Sequence, residues 1–151
     1  MQLTKVKKKV SEDVDFVADI HKLSEVTGGE SYDVVISCSS FEHFKYPHLA
    51  ALEISKTLKP NGAVFIQTHC CFPLHAYPYD YFRFSSEGLE SCFGTKNGIA
   101  VQSTNYEFPC TITSQAFPGT SLRSSSLNIN LFGIKTDKTP VNFIYELDTN
   151  L

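Results

Sequence analysis

Four of the five histidines in this sequence fall into three short polar segments, each closing or following an apolar, β-rich run. Asp19-Ile20-His21 follows residues 14–18. Ser37-Cys38-Ser39-Ser40, then Phe41-Glu42-His43, closes residues 33–37. Thr68-His69 follows residues 63–67 and leads into a stretch that reaches His75, Asp80 and Arg83. Histidine changes charge near neutral pH, so it can move a proton, and it is also the commonest metal ligand. Glu42 can hold the neighbouring imidazole or a backbone amide. His69, Cys70, Cys71 and His75 are all metal-ligand types. Zinc sites, however, space their ligands by two to four residues or more, and adjacent cysteines do not readily share one tetrahedral ion. No metal site is expected. Asp80 and Arg83 suit a local ion pair of a few tenths of a kcal/mol as well as a contact to substrate. Asp19 reads equally as a binding acceptor and as the cap of a turn.

These segments meet in space if the runs before them are strands of one sheet. In open α/β sheets, ligands bind beyond the carboxyl ends of the strands, where the loops converge. Residues 1–10 set Lys5, Lys7, Lys8 and Lys9 beside Leu3, Val6 and Val10, which reads as a short amphipathic helix or its tail. Residues 14–18 and 33–37 read as strands, with a turn at Gly28-Gly29 between them. A helix over 46–58, with Pro47 in its first turn, is stopped by Lys59-Pro60-Asn61-Gly62. Proline cannot continue the helix, and Asn-Gly favours a sharp reversal. Residues 63–67 form the next strand, and 85–92 a second helix capped by Ser85 or Ser86. Extended segments follow near 99–106, 110–116, 128–135 and 141–147, the last two joined as a hairpin by residues 137–140. The aromatic group Tyr77, Tyr79, Tyr81, Phe82 and Phe84 reads as packing. The sum is an α/β fold, a mostly parallel sheet that closes on an antiparallel C-terminal hairpin.

Composition bounds the functional classes. The 151 residues suffice for one domain, and 42% hydrophobic against 19% charged residues excludes a disordered chain. The longest apolar runs, 49–52 and 63–66, are far short of the roughly 20 residues that cross a bilayer. No signal peptide opens the sequence, so a cytoplasmic protein with no membrane partner is expected. Thirteen basic against 16 acidic residues leave a net charge of −3, which gives no global attraction to nucleic acid. Five cysteines without CxxC spacing are expected to be reduced thiols.

The stretch DVVISCSSFEH (residues 33–43), followed by Lys59-Pro60-Asn61-Gly62 and AVFIQT, resembles class I S-adenosylmethionine-dependent methyltransferases. Their usual pattern is an Asp-Val-Val strand, a Glu-His pair, a helix and a Leu-Lys-Pro-Gly-Gly turn. VDFVADIHKL (residues 14–23) matches the preceding strand, and the run from His75 through Asp80 to Arg83 resembles a segment of one branch of those enzymes. The likeness covers roughly residues 10–95. It implies S-adenosyl-L-methionine as cofactor and methyl transfer to an acceptor that the sequence leaves unidentified. By position, Asp19 would bond the adenine amino group and the backbone of Ile20 would meet the ring. Ser37 and Cys38 would lie beside the methionine portion. His43, then His75, would be the candidate catalytic bases, and Tyr79, Asp80 and Arg83 would contact substrate.

In that family a first strand, a glycine-rich turn and an acidic residue ending the second strand grip the cofactor. Here Met1 falls just before what would be the third strand, and Gly28-Gly29 lies after it. The expectation is therefore an incomplete Rossmann-like methyltransferase fold, a single truncated domain over residues 1–151. A non-catalytic homologue that acts only by binding or assembly is the alternative. The missing strand would lie between residues 14–18 and 33–37, leaving unpaired edges, and a homodimer covering them is expected.

Overall fold

In the computed structural model, which describes residues 6–7, 15–113, 121–136 and 138–145, four strands and three α-helices precede an antiparallel pair of strands. Strands β1 (Val6–Lys7) and β2 (Phe16–Val17) pair in parallel as a small sheet of their own. The main sheet is built from β3 (Tyr32–Cys38), β4 (Leu58–His69), β5 (Ile99–Thr113) and β6 (Ser121–Lys135), in the order β3-β4-β6-β5. β3 and β4 are parallel; β6 is antiparallel to both of its neighbours. The fold is thus α/β with a mixed sheet that closes on an antiparallel C-terminal hairpin.

The sequence pattern explains how the first half is held. Along β4, Val64, Ile66 and Thr68 are buried while Ala63, Phe65 and Gln67 are only partly so, the two-residue alternation of a strand with one face on the core. Helix α2 (Pro47–Thr57) begins with proline, whose missing N–H costs nothing at a helix start, and buries Ala51, Leu52 and Ile54. Phe41, Ile54, Leu58, Val64, Ile66, Leu89, Ile99, Ile129 and Leu131 form the centre of the core. Asn61 takes φ +62°, and β4 pairs with β3 across this reversal. Gly62 is required there: a Cβ would stand 2.8 Å from the Lys59 carbonyl oxygen and 3.1 Å from that of Asp33.

Helix α1 (Leu23–Thr27) is tied to α2 through Glu53, whose carboxylate accepts from Ser24 N (2.9 Å), Ser24 Oγ (2.6 Å) and Lys56 Nζ (2.8 Å). Burial works to raise that carboxyl, but the bonds from Lys56 and Ser24 outweigh it and bring it below its ordinary value. Helix α3 (Ser86–Glu90) is capped by Ser85, whose Oγ accepts from Gly88 N at 3.1 Å.

On the sheet's other face Val34, Ile36 and Phe132 are exposed. Among the described residues β3 is an edge, because β2 pairs with β1 rather than with β3. No described helix is long and apolar enough to cross a membrane.

Two expectations are corrected. Residues 128–135 do not pair with 141–147. β6 instead pairs with β5, in which the segment 99–106 and most of 110–116 run together. Residues 141–145 are not a strand; Asn97 grips Ile144, its Nδ2 donating to the Ile144 carbonyl (2.8 Å) and its Oδ1 accepting from Ile144 N (2.7 Å). The backbone N–H and C=O of Ile144 are thus satisfied by a side chain rather than by a ladder. Val6 and Lys7 are strand residues rather than helical ones, since their backbone pairs with β2; the rest of 1–10, and residues 114–116, 137, 146 and 147, lie outside the described residues.

Candidate functional site

The carboxyl ends of β3 and β4 bring Glu42, His43, His69 and His75 together. After β3 the chain makes a single tight turn over Phe41–His43. Phe41 is fully buried against Phe44 and Phe93, at ring-centre distances of 5.1 and 5.8 Å, and this draws the next residue inward. Glu42 is consequently buried, with a relative exposure of 0%. Its Oε2 accepts from Thr68 Oγ1 at 2.6 Å, Thr68 being an inward residue of β4. A buried carboxylate without full hydrogen bonding is costly. Oε1 nevertheless receives no hydrogen bond among the described residues.

Three imidazoles surround that oxygen. The Nε2 atoms of His69, His43 and His75 lie 3.2, 3.7 and 4.0 Å from Glu42 Oε1. The opposite nitrogens are all occupied. His43 Nδ1 donates to the Tyr79 carbonyl (2.8 Å); His75 Nδ1 lies 3.2 Å from the Pro73 carbonyl and 3.4 Å from Arg83 Nη2, and His69 Nδ1 lies 3.0 Å from Asn128 Oδ1. Because a carbonyl oxygen can only accept, the His43 proton sits on Nδ1 in the neutral ring, and its Nε2 lone pair faces the carboxylate. His69 is held flat by stacking on Phe72 at 4.1 Å. His43 and His75 meet edge to face at 4.8 Å.

The loop after β4 is fastened over this cluster. Tyr81 N and Phe82 N both donate to the Glu42 backbone carbonyl, at 2.9 and 3.1 Å. Asp80 accepts from Arg83 through both carboxylate oxygens (2.6 and 2.8 Å) and from His75 N (2.8 Å). Arg83 also donates to the carbonyls of Phe72 and Pro73, each at 2.9 Å. The Arg83 guanidinium, helped by the His75 amide, holds the Asp80 carboxyl well below the usual carboxylate range. Asp80 and Arg83 therefore clasp the loop. The Tyr79 ring stands exposed while its carbonyl orients His43.

The residues expected at the cofactor are arranged differently. Asp19 caps the short turn Ile20–Lys22: its Oδ1 accepts from His21 N (3.0 Å) and lies 2.7 Å from His21 Nδ1. Ile20 is half-buried against the core. At the end of β3, Ser37 is half-buried and Cys38 exposed. Ser39 N donates to the Gln67 carbonyl (2.9 Å), and Ser40 Oγ to that of Cys38 (2.9 Å).

His69, Cys70, Cys71 and His75 do not converge as a metal set. The described residues that could share an ion are Glu42, His43 and His75, with one donor atom from each lying within 4.8 Å of the others. All five thiols are free. Burial pushes the Cys92 thiol up to about 12. Sequence reasoning named His43 and His75 but missed Glu42 as the centre, and with it Thr68, His69 and Asn128. The inward phase of Thr68 in the 63–67 alternation was the available signal.

The model of a family described as a methyltransferase domain matches residues 1–66. A chain from the complex of the Haloferax volcanii Trm112 methyltransferase activator with its methyltransferase superposes with a TM-score of 0.58. The identity is 18%, over 85% of this chain and 64% of that one. The fold is that of the class I methyltransferases. An S-adenosylmethionine-dependent methyltransferase from Mesorhizobium loti shares it at TM-score 0.55 and 10% identity, over 83% of this chain and 72% of that one. So does the [4+2]-cyclase SpnF, at 0.56 and 14%, over 83% of this chain and 58% of that one. No curated protein sequence matches. This chain thus spans less than two thirds of the Haloferax and SpnF chains, and the methyltransferase fold hosts a cyclase as well as methyl transfer.

Proposed function

We propose that the protein is an S-adenosylmethionine-dependent methyltransferase whose methyl acceptor docks against the histidine cluster at the carboxyl ends of β3 and β4. The observation that carries this reading is the convergence of His43 Nε2 and His75 Nε2 on the buried Glu42, at the edge where this fold binds ligands. Methyl transfer is an in-line displacement at an already activated sulfonium, so the protein must align donor and acceptor and take one proton where the acceptor has one to lose. His43, its Nδ1 fixed by the Tyr79 carbonyl, takes that proton at Nε2, and His75 is the second candidate. Tyr79 borders the acceptor, and Asp80 with Arg83 holds the wall that carries it.

On the cofactor side, Asp19 and Ile20 receive the adenine, and Ser37 and Cys38 the methionine portion. The open edge of β3 is where a second copy of the chain, or another protein, completes the cofactor site. The Trm112 complex offers a precedent for a methyltransferase of this fold with a protein partner. No membrane or nucleic-acid partner enters this reading, and the expected compartment is the cytoplasm.

Calorimetric titration with S-adenosylmethionine and S-adenosylhomocysteine tests it. Micromolar binding is expected, and silence at millimolar ligand would overturn it. That silence would favour the second reading, a non-catalytic homologue acting by binding alone. The local use of Asp19 in capping its own turn supports that alternative.

A further inference from the structure

A carboxylate oxygen with no hydrogen bond, in a fully buried side chain, needs a positive partner. Around Glu42 Oε1 stand the Nε2 atoms of three imidazoles, and that of His43, whose Nδ1 donates to the Tyr79 carbonyl, presents a lone pair that repels the oxygen's own electrons rather than satisfying them. The arrangement becomes favourable when a cation sits between them. The geometry points to a binding site for a divalent first-row transition metal of the zinc type, with Glu42 Oε1, His43 Nε2 and His75 Nε2 as ligands.

The distances suit it. Tetrahedral zinc at about 2.0–2.1 Å from its donors sets neighbouring donors roughly 3.3–3.4 Å apart. Glu42 Oε1 stands 3.7 Å from His43 Nε2 and 4.0 Å from His75 Nε2, and the three donors lie within 4.8 Å of one another, so closing on an ion takes side-chain shifts of up to roughly 1 Å. His69 Nε2, 3.2 Å from the same oxygen, lines the remaining side.

The supporting groups are also those a metal site uses. A ligating histidine donates its other ring N–H to a carbonyl or carboxylate, which fixes the tautomer and the ring plane. Here Tyr79 accepts from His43, the Pro73 carbonyl lies 3.2 Å from His75 Nδ1, and Thr68 donates to the second oxygen of Glu42. Two imidazoles and one carboxylate leave a coordination position open, which distinguishes a catalytic ion from a structural one. His43 and His75 remain partly exposed, so that position can reach solvent. A hydroxyl or water bound there would lose its proton more readily. The ion would then replace His43 as the group that activates an acceptor oxygen.

Metal binding is read with the metal alone, without cofactor, so its outcome is separate from that of the titration with S-adenosylmethionine. The metal-stripped protein is titrated with Co²⁺ and followed by its visible d–d absorption, then back-titrated with Zn²⁺. One equivalent of Co²⁺ per chain is expected, displaced by Zn²⁺. His43→Ala and His75→Ala, each checked for native circular dichroism, should weaken binding by about 100-fold, more than loss of an outer-shell partner costs. His48→Ala, outside the cluster, should bind as the parent does. Substoichiometric Co²⁺ uptake by the parent would overturn the site. Equal loss in the His48 variant, or unchanged binding in both His43→Ala and His75→Ala, would overturn it too.

Discussion

The two sides of the sheet's carboxyl edge are built on different terms. On the acceptor side, residues far apart in sequence converge on one buried carboxylate: Thr68 from β4, His43 from the turn after β3, and His75 from the loop that Asp80 and Arg83 clasp. On the cofactor side, Asp19 bonds within its own turn, Cys38 is exposed, and β2 and β3 lie in different sheets. Long-range convergence fixes side chains before any ligand arrives, whereas a locally satisfied, exposed residue gains its geometry from what binds to it. The side that carries the histidine cluster is set by long-range contacts; the side we propose for the cofactor is set by local ones.

The sharpest way to break this contrast is at Phe41, the buried anchor of the turn that carries Glu42 and His43. Phe41→Ala should cost about 3–5 kcal/mol in urea unfolding, the usual penalty for truncating a fully buried aromatic. A loss below about 1 kcal/mol would mean that the turn is not held from the core.

The loop clasp gives an intermediate effect with a definite pH sign. The Asp80 carboxyl is lowered by the Arg83 hydrogen bonds and the His75 amide, so its contribution is present above the ordinary carboxylate range. It is lost as the pH falls below that range, about 4 and lower. Amide protection factors in residues 72–83, referred to the intrinsic exchange rate at each pH, should therefore fall on acidification in the parent. In Asp80→Asn they should be several-fold lower already at neutral pH and lack the acid-dependent step. Equal exchange in both proteins would remove the clasp from the account.

The smallest effect belongs to the cofactor side. Asp19→Ala deletes an exposed cap and should cost less than about 1 kcal/mol of stability. If S-adenosylmethionine binds, the same change should weaken binding by about 1–3 kcal/mol, measured calorimetrically. Stability loss matching that of Phe41→Ala would erase the distinction between the two sides.

Elements whose cause is local were legible in the sequence. The helix over 46–58 needed only Pro47 at its start and Lys59-Pro60-Asn61-Gly62 after it, and it is observed as Pro47–Thr57. Of the two expected caps of α3, Ser85 and Ser86, it is Ser85 that caps the helix. Pairing between distant segments was not legible. Residues 128–135 pair with β5, and Asn97 grips Ile144, 47 residues away, contacts that no local pattern announces. The site divides in the same way. His43 and His75 are prominent because of where they fall between elements. Glu42 reads in the sequence as a residue that holds the neighbouring imidazole or a backbone amide, and its burial depends on Phe41, Thr68 and the loop. Proximity along the chain was a poor guide to shared ligation: His69, Cys70, Cys71 and His75 are near in sequence, while His43 and His75, 32 positions apart, face one another in space.

Glu42 attaches to its surroundings twice, by independent means. Its backbone carbonyl carries the amides of Tyr81 and Phe82, and its carboxylate carries Thr68 and faces the imidazoles. The first attachment is indifferent to which side chain stands at position 42. Exchanging the side chain therefore alters the charge and ligand chemistry of the pocket while the loop stays moored. Scaffold and reactivity are separable at this one residue, which makes position 42 the natural place to retune what the pocket binds.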